Sequence, residues 1–139
     1  KTLLMAVKKK RKISRKNLVK KLDTVFSIFI RQRNAIDEIA ECVTCGKKDH
    51  WKKLQNGHFM SRKHLITRWD EDNCQVQCAG CNVFRYGEQY KYSVWLDATF
   101  GKGTAENLSI KSRGTLKISD FELIDMIEVY KKKIDLLNK

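Results

Sequence analysis

The sequence predicts an α+β fold in which helices surround a small, zinc-braced unit of short strands, and three observations carry that prediction. Two Cys-x-x-Cys pairs, Cys42/Cys45 and Cys78/Cys81, stand 32 residues apart. That spacing lets four thiolates surround one tetrahedral zinc while the chain between them folds as a small unit. Apolar residues recur three and four apart over residues 16–39 and again over 119–137, the period of amphipathic helices. Between the cysteine pairs, Leu54 to Met60 alternates weakly, as a short strand does.

A chain of 139 residues suits one domain with a modest core, to which a structural zinc adds support. Its 29 Lys+Arg against 16 Asp+Glu, a net charge of +13 and a pI near 9.7 call for a polyanionic partner, nucleic acid before a membrane surface. No apolar run approaches the roughly 20 residues that span a bilayer, and residues 1–7 lack a signal-peptide pattern. The expectation is a soluble, cytoplasmic chain without a membrane partner. In a reducing compartment, paired cysteines are better read as metal ligands than as disulfides.

In chain order, residues 1–15 form a basic arm with Lys8, Lys9, Lys10, Arg11 and Lys12, and residues 1–40 hold twelve Lys and Arg against three acids. Such a block is either a solvated tail or a set of phosphate contacts, and the overall charge favours phosphate. Leu18, Leu22, Val25, Phe26, Phe29 and Ile30 form the stripe of a long N-terminal helix, with Lys20 and Lys21 off the stripe and available to DNA. The strand over 54–60 contains Gly57, a backbone kink directly before His58. Ser61 to Asn73 reads as a basic, irregular loop. Val76 and Gln77 lead into the second cysteine pair.

After Asn82 a helix carries Tyr90, Val94, Trp95 and Phe100 until Gly101 ends it. Residues 101–139 are a helical extension, with a short helical piece over Thr104 to Ile110. Ser119 and Glu122 then form a capping box ahead of a last helix bearing Leu123, Ile124, Ile127, Tyr130, Ile134 and Leu137. Its stripe packs inside the chain or serves as a homodimer seam.

Four cysteine ligands, Cys42, Cys45, Cys78 and Cys81, close a zinc site and leave no position for water, so that zinc is structural. Cys74 belongs to neither pair and reads as a buried small hydrophobe. Catalysis then needs another group. His58 stands in the strand that the zinc would hold rigid, and an imidazole takes a proton from water near neutral pH. Asn73 and Asn82 flank the second cysteine pair and are fixed to the same frame.

His58, Asn73 and Asn82, interleaved with the two cysteine pairs, resemble the H-N-N variant of the HNH (ββα-metal) nucleases. More narrowly, Gly57-His58-Phe59, the run Thr67 to Asn73, Gln77-Cys78-x-x-Cys81-Asn82 and the run Lys20 to Ser27 with Ile30-Arg31 resemble the NinG/Rap family of phage recombination endonucleases. The resemblance covers residues 18–100 well and the C-terminal helices loosely. It implies a zinc-braced ββα-metal core over residues 16–100, with His58 as general base on the first strand. Asn73 would orient that base from the connecting loop. Asn82, at the start of the helix, would bind a catalytic Mg²⁺ or Mn²⁺. The implied activity is structure-selective hydrolysis of branched DNA, such as Holliday junctions and D-loops, by a phage- or prophage-encoded protein in the bacterial cytoplasm.

One position departs from the pattern. Many HNH enzymes carry Asp or His directly before the base as a second metal ligand, and here it is Gly57. Asp70, Glu71 and Asp72 are nearby carboxylates and are either substitute ligands or a solvated loop. Arg62 and Arg68, with His64 close by, are either phosphate contacts or ordinary surface groups. Three other readings compete: a zinc-braced DNA-binding protein without catalysis, a nonspecific nicking nuclease and an RNA-binding zinc protein.

Overall fold

A computed structural model describes residues 11–139. Lys8, Lys9 and Lys10 of the basic arm lie outside the described residues. Arg11 and Lys12 are exposed coil leading to Ser14, whose hydroxyl accepts the Asn17 amide and caps the first helix, α1, Arg15–Gln32. The predicted stripe is the buried one: Leu18, Leu22, Val25, Phe26, Phe29 and Ile30 all face inward. The helix stops seven residues before the expected Ile39, because the apolar period ends at Ile30. Asp37 and Glu38 then take φ of +48° and +66°, conformations no helix accommodates.

A hairpin not foreseen in the sequence follows. Strands β1, Ile39–Glu41, and β2, Lys48–His50, pair antiparallel with Ala40 opposite Asp49. Their connection is the first cysteine pair, closed by Gly46 at φ +80°. A second hairpin joins β3, Gln55–His58, to β4, Cys74–Gln77, with Gly57 opposite Gln75 and His58 opposite Cys74. The long loop between them, expected to be irregular, contains one helical turn, α2, Leu65–Arg68.

The helix expected directly after Asn82 is interrupted. Gly80–Phe84 is a π-helical turn, Tyr86, Gly87 and Glu88 have positive φ, and only then does α3, Gln89–Phe100, begin. Gly101 ends α3 at φ +116°, and α4, Thr104–Ser112, covers the helical piece expected over Thr104 to Ile110. Ser119 and Glu122 form the predicted capping box at the start of α5, Asp120–Leu137.

Three apolar clusters hold these elements. The largest joins α1 to α5 through Leu22, Phe26, Leu123 and Ile127 and takes in Trp69 and Cys74; the Phe26 and Tyr130 rings meet edge to face at 4.9 Å. On α5, Leu123, Ile127 and Tyr130 are buried, while Ile124 and Leu137 of the predicted stripe are exposed. A second cluster surrounds the cysteines with Ala40, Leu54 and Val76. The third packs Tyr92 and Leu96 of α3 on Leu108 of α4. Buried Tyr92 donates its hydroxyl proton to Gly57 O at 2.7 Å and also lies 3.2 Å from Asn73 O, tying α3 to both sides of the second hairpin. Arg33 fastens the end of α1 to β4 by donating to the carbonyls of Glu71 and Cys74, both at 2.9 Å. Among the described residues no helix is long and apolar enough to cross a membrane.

Candidate metal centre and active-site cleft

The two hairpins bring the cysteine pairs together. The sulfurs of Cys42, Cys45, Cys78 and Cys81 all lie within 4.8 Å of one another, three of the residues buried and Cys45 exposed. Sulfurs about 3.8 Å apart are what zinc–thiolate bonds near 2.3 Å require at tetrahedral angles, and the Cys45–Cys78 pair stands at 3.6 Å. The four thiols differ in proton affinity. At Cys42, burial opposes ionisation, but hydrogen bonds from the Thr44 hydroxyl and nearby amides bring the pKa down to about 6. At Cys45 the Lys47 amide favours the thiolate, yet burial and the three neighbouring sulfurs push it up to about 12. Crowded thiolates of this kind are relieved by a cation, and the all-sulfur set fits zinc. Cys74 stands apart in the main core.

Beside this centre a cleft of about 660 Å³ opens between α1, β3 and the π-helical turn, lined by Asp23, Arg31, Gln55, His58, Arg62 and Asn82 among others. The fold thus brings together His58, Asn82 and Arg62 of the residues singled out from sequence. His58 Nε2 lies 2.9 Å from Arg68 O. A carbonyl can only accept, so Nε2 carries the proton and Nδ1 is the basic nitrogen. Burial holds the His58 pKa below the usual histidine value. The Arg68 carbonyl and Asp23 pull it upward, and the charges of Arg62 and Arg68 reinforce the fall.

The acceptor is held from α1. Asp23 takes Arg68 Nε at 3.0 Å on Oδ1, pairs with Arg68 Nη2 through Oδ2, and accepts the Trp69 indole N–H at 2.9 Å. Arg68 is therefore engaged within the protein, and its guanidinium also donates to Arg62 O at 3.2 Å. Asn73 is fully buried. Its side chain accepts from Met60 N at 2.8 Å and donates to Met60 O and Thr67 O, both at 3.0 Å. None of these bonds reaches the imidazole; Asn73 secures the backbone next to the carbonyl that does.

Asn82 Nδ2 donates to Gln55 Oε1 at 2.8 Å, which leaves its Oδ1 as the atom able to meet a cation. The carboxylates of the loop lie elsewhere. Asp70 pairs with Lys111 and caps the amides of Asp72 and Asn73, while Glu71 pairs with Lys133 and Tyr130. Asp72 is exposed, His64 leads into α2, and none of these lines the cleft. Lys20 and Lys21 line a separate groove between α1 and α5. The basic group that α1 presents to the cleft is Arg31, stacked 5.1 Å from the Trp51 ring.

Gly57 has a specific cause. A Cβ built there would come within 2.0 Å of Gln77 Oε1, so the Gln77 side chain fills the space where a residue-57 ligand would stand. Gln77 is fully buried and its Nε2 donates to Thr44 Oγ1 at 3.1 Å and Gly87 O at 2.9 Å. Its Oε1, like Asn56 Oδ1 at the cleft wall, has no partner among the described residues. The fit to a hard catalytic cation thus rests on neutral amide oxygens, Asn82 and Asn56, with Asp23 as the cleft's paired carboxylate. Asp23, Arg31, Gln55 and Gln77 escaped the sequence reading. Asp23, Arg31 and Gln77 stand within the runs that carry the family resemblance, but no residue type or spacing there marked them as part of a site.

A family model described as "NinG: Bacteriophage Lambda NinG protein" matches residues 3–139. No curated protein and no solved structure matches the chain.

Proposed function

The chain belongs to the NinG family, and from that premise we propose that it is an HNH-type endonuclease that hydrolyses branched DNA recombination intermediates such as Holliday junctions and D-loops with a divalent cation. The observation that carries this reading is the His58 tautomer: with Nε2–H given to Arg68 O, Nδ1 is a free base in the same cleft as Asn82. The β3–β4 hairpin followed by the turn that bears Asn82 supports a ββα-metal unit, and the four cysteines support a structural zinc beside it.

On this reading His58 Nδ1 takes a proton from water, the oxygen attacks phosphorus as the P–O3′ bond breaks, and the departing 3′ oxygen takes a proton from solvent, leaving a 5′ phosphate and a 3′ hydroxyl. Asp23 and Arg68 hold the base in its tautomer, and Arg62 and Arg31 bind phosphate oxygens along the cleft. Asn82 Oδ1 and Asn56, with phosphate oxygens, would hold Mg²⁺ or Mn²⁺, which would supply charge stabilisation there. The net charge of +13 supports DNA as the partner, and a phage-encoded protein of this kind acts in the bacterial cytoplasm.

The absence of an unpaired carboxylate from the cleft lining favours the second reading, a DNA-binding protein without catalysis. His58→Ala separates the two. Cleavage of a four-way junction with Mg²⁺ should vanish while zinc content and DNA affinity stay within twofold, and undiminished nicking by that variant would exclude His58 as the base.

A further inference from the structure

The turn after Asn82 and the first turn of α3 carry three exposed aromatic residues that the catalytic reading leaves unused. Phe84, Tyr86 and Tyr90 are 77%, 89% and 82% exposed, within seven residues of one another, and half-exposed Val83 at the base of the turn lines the cleft. The backbone that presents them is costly. Tyr86 and Glu88 adopt φ of +54° and +47°, a region that L side chains rarely occupy. The turn is nonetheless firmly held: Gln77 Nε2 donates to Gly87 O, Arg85 donates to Cys81 Sγ at 3.1 Å, and Arg85 pairs with Glu88 at 2.9 Å. Rings are thus aimed outward by the cysteine frame, on a chain with strong positive charge.

We propose that Phe84, Tyr86 and Tyr90 form a stacking tip for unpaired or flared DNA bases at a branch point, adjoining the cleft that takes the backbone. Continuous duplex offers no open π-face along its length. Forks, gaps and junctions do, and each base stacked on a ring strengthens binding about tenfold. The tip would make the neighbouring cleft selective for branched over linear DNA. This inference rests on the endonuclease reading for its substrate.

The test uses the full zinc-loaded chain without added divalent cation, so that binding is read apart from cleavage. The probes are a four-way junction and a gapped duplex carrying 2-aminopurine at the branch, and a linear duplex of the same sequence. Phe84→Ala and Tyr86→Ala should each weaken junction and gap binding about tenfold and abolish the change in 2-aminopurine emission. Linear duplex should stay within twofold, and Tyr86→Phe should match the parent. Equal losses on branched and linear DNA, or no loss on either, would overturn the tip, as would loss of self-association in sedimentation with DNA binding intact. Should the parent bind in this way yet cleave nothing with Mg²⁺, the nuclease reading fails and the tip stands. An active nuclease whose branch preference ignores Phe84→Ala refutes the tip alone.

Discussion

The backbone carbonyl of Arg68 accepts the Nε2 proton of His58 at 2.9 Å, and the side chain of the same arginine is held by Asp23 on another element. One residue therefore joins the N-terminal helix to the candidate base. Asp23→Asn removes the charge from a pair in which both side chains are only 21% exposed, and loss of such charge-assisted bonds should cost about 2 kcal/mol of stability. The expected catalytic effect is a fall of one to two orders of magnitude in kcat with KM little changed. The signature that a merely structural role would not produce is loss of the hydrogen-bonded Nε2–H of His58 in nitrogen-resolved NMR.

The pH dependence follows from the lowered His58 value. Protonation is disfavoured in the folded state, so the base form persists below the ordinary histidine pKa of about 6.5. Cleavage should be flat through neutrality and decline only at more acid pH. The unfolded chain binds that proton more readily, so this contribution to stability is complete above about pH 6.5 and is lost as pH falls toward the folded value. A rate profile and an imidazole NMR titration should report the same acid limb, absent from His58→Gln.

Gly57 and Gln77 should behave as a coupled pair. Gly57→Ala forces a methyl into the Gln77 amide and should destabilise by about 1–3 kcal/mol. Gln77→Ala vacates that space but frees the Thr44 and Gly87 contacts. The double variant should be more stable than the sum of the single effects predicts, which a double-mutant cycle by chemical denaturation measures.

Cys42→Ser should lose zinc and with it the order of both hairpins, because metal binding and folding of such a centre are one equilibrium. Metal analysis together with far-UV circular dichroism checks this; a folded, zinc-free variant would refute the structural assignment. Cys74→Ser should retain zinc while losing stability in the main core.

The cysteine pairs were legible because their chemistry resides in spacing alone, and α1 and α5 because Leu18 to Ile30 and Leu123 to Tyr130 repeat at the helical period. Ser119 and Glu122 mark a helix start for the same local reason. The first hairpin was not legible: strands of three residues, with only Ala40 of β1 buried, carry no alternation to read. Nor could sequence reveal that Asp23 pairs with Arg68, 45 positions away, or that Gln77 stands where Gly57 has no side chain. Those relations arise from packing between elements. His58 was identifiable as a candidate, but the atom that holds it is a backbone carbonyl, which has no residue type to recognise.

The seam between α1 and α5 bears on how the molecule is made. Phe26 meets Tyr130 across more than a hundred residues of chain, and the same helix α1 supplies Asp23 and Arg31 to the cleft wall. During synthesis the cysteine-bearing hairpins emerge well before α5, so α1 lacks its packing partner until α5 has been made. A nascent chain can thus draw its four cysteines together while the α1 wall of its cleft still waits for the helix that braces it from behind.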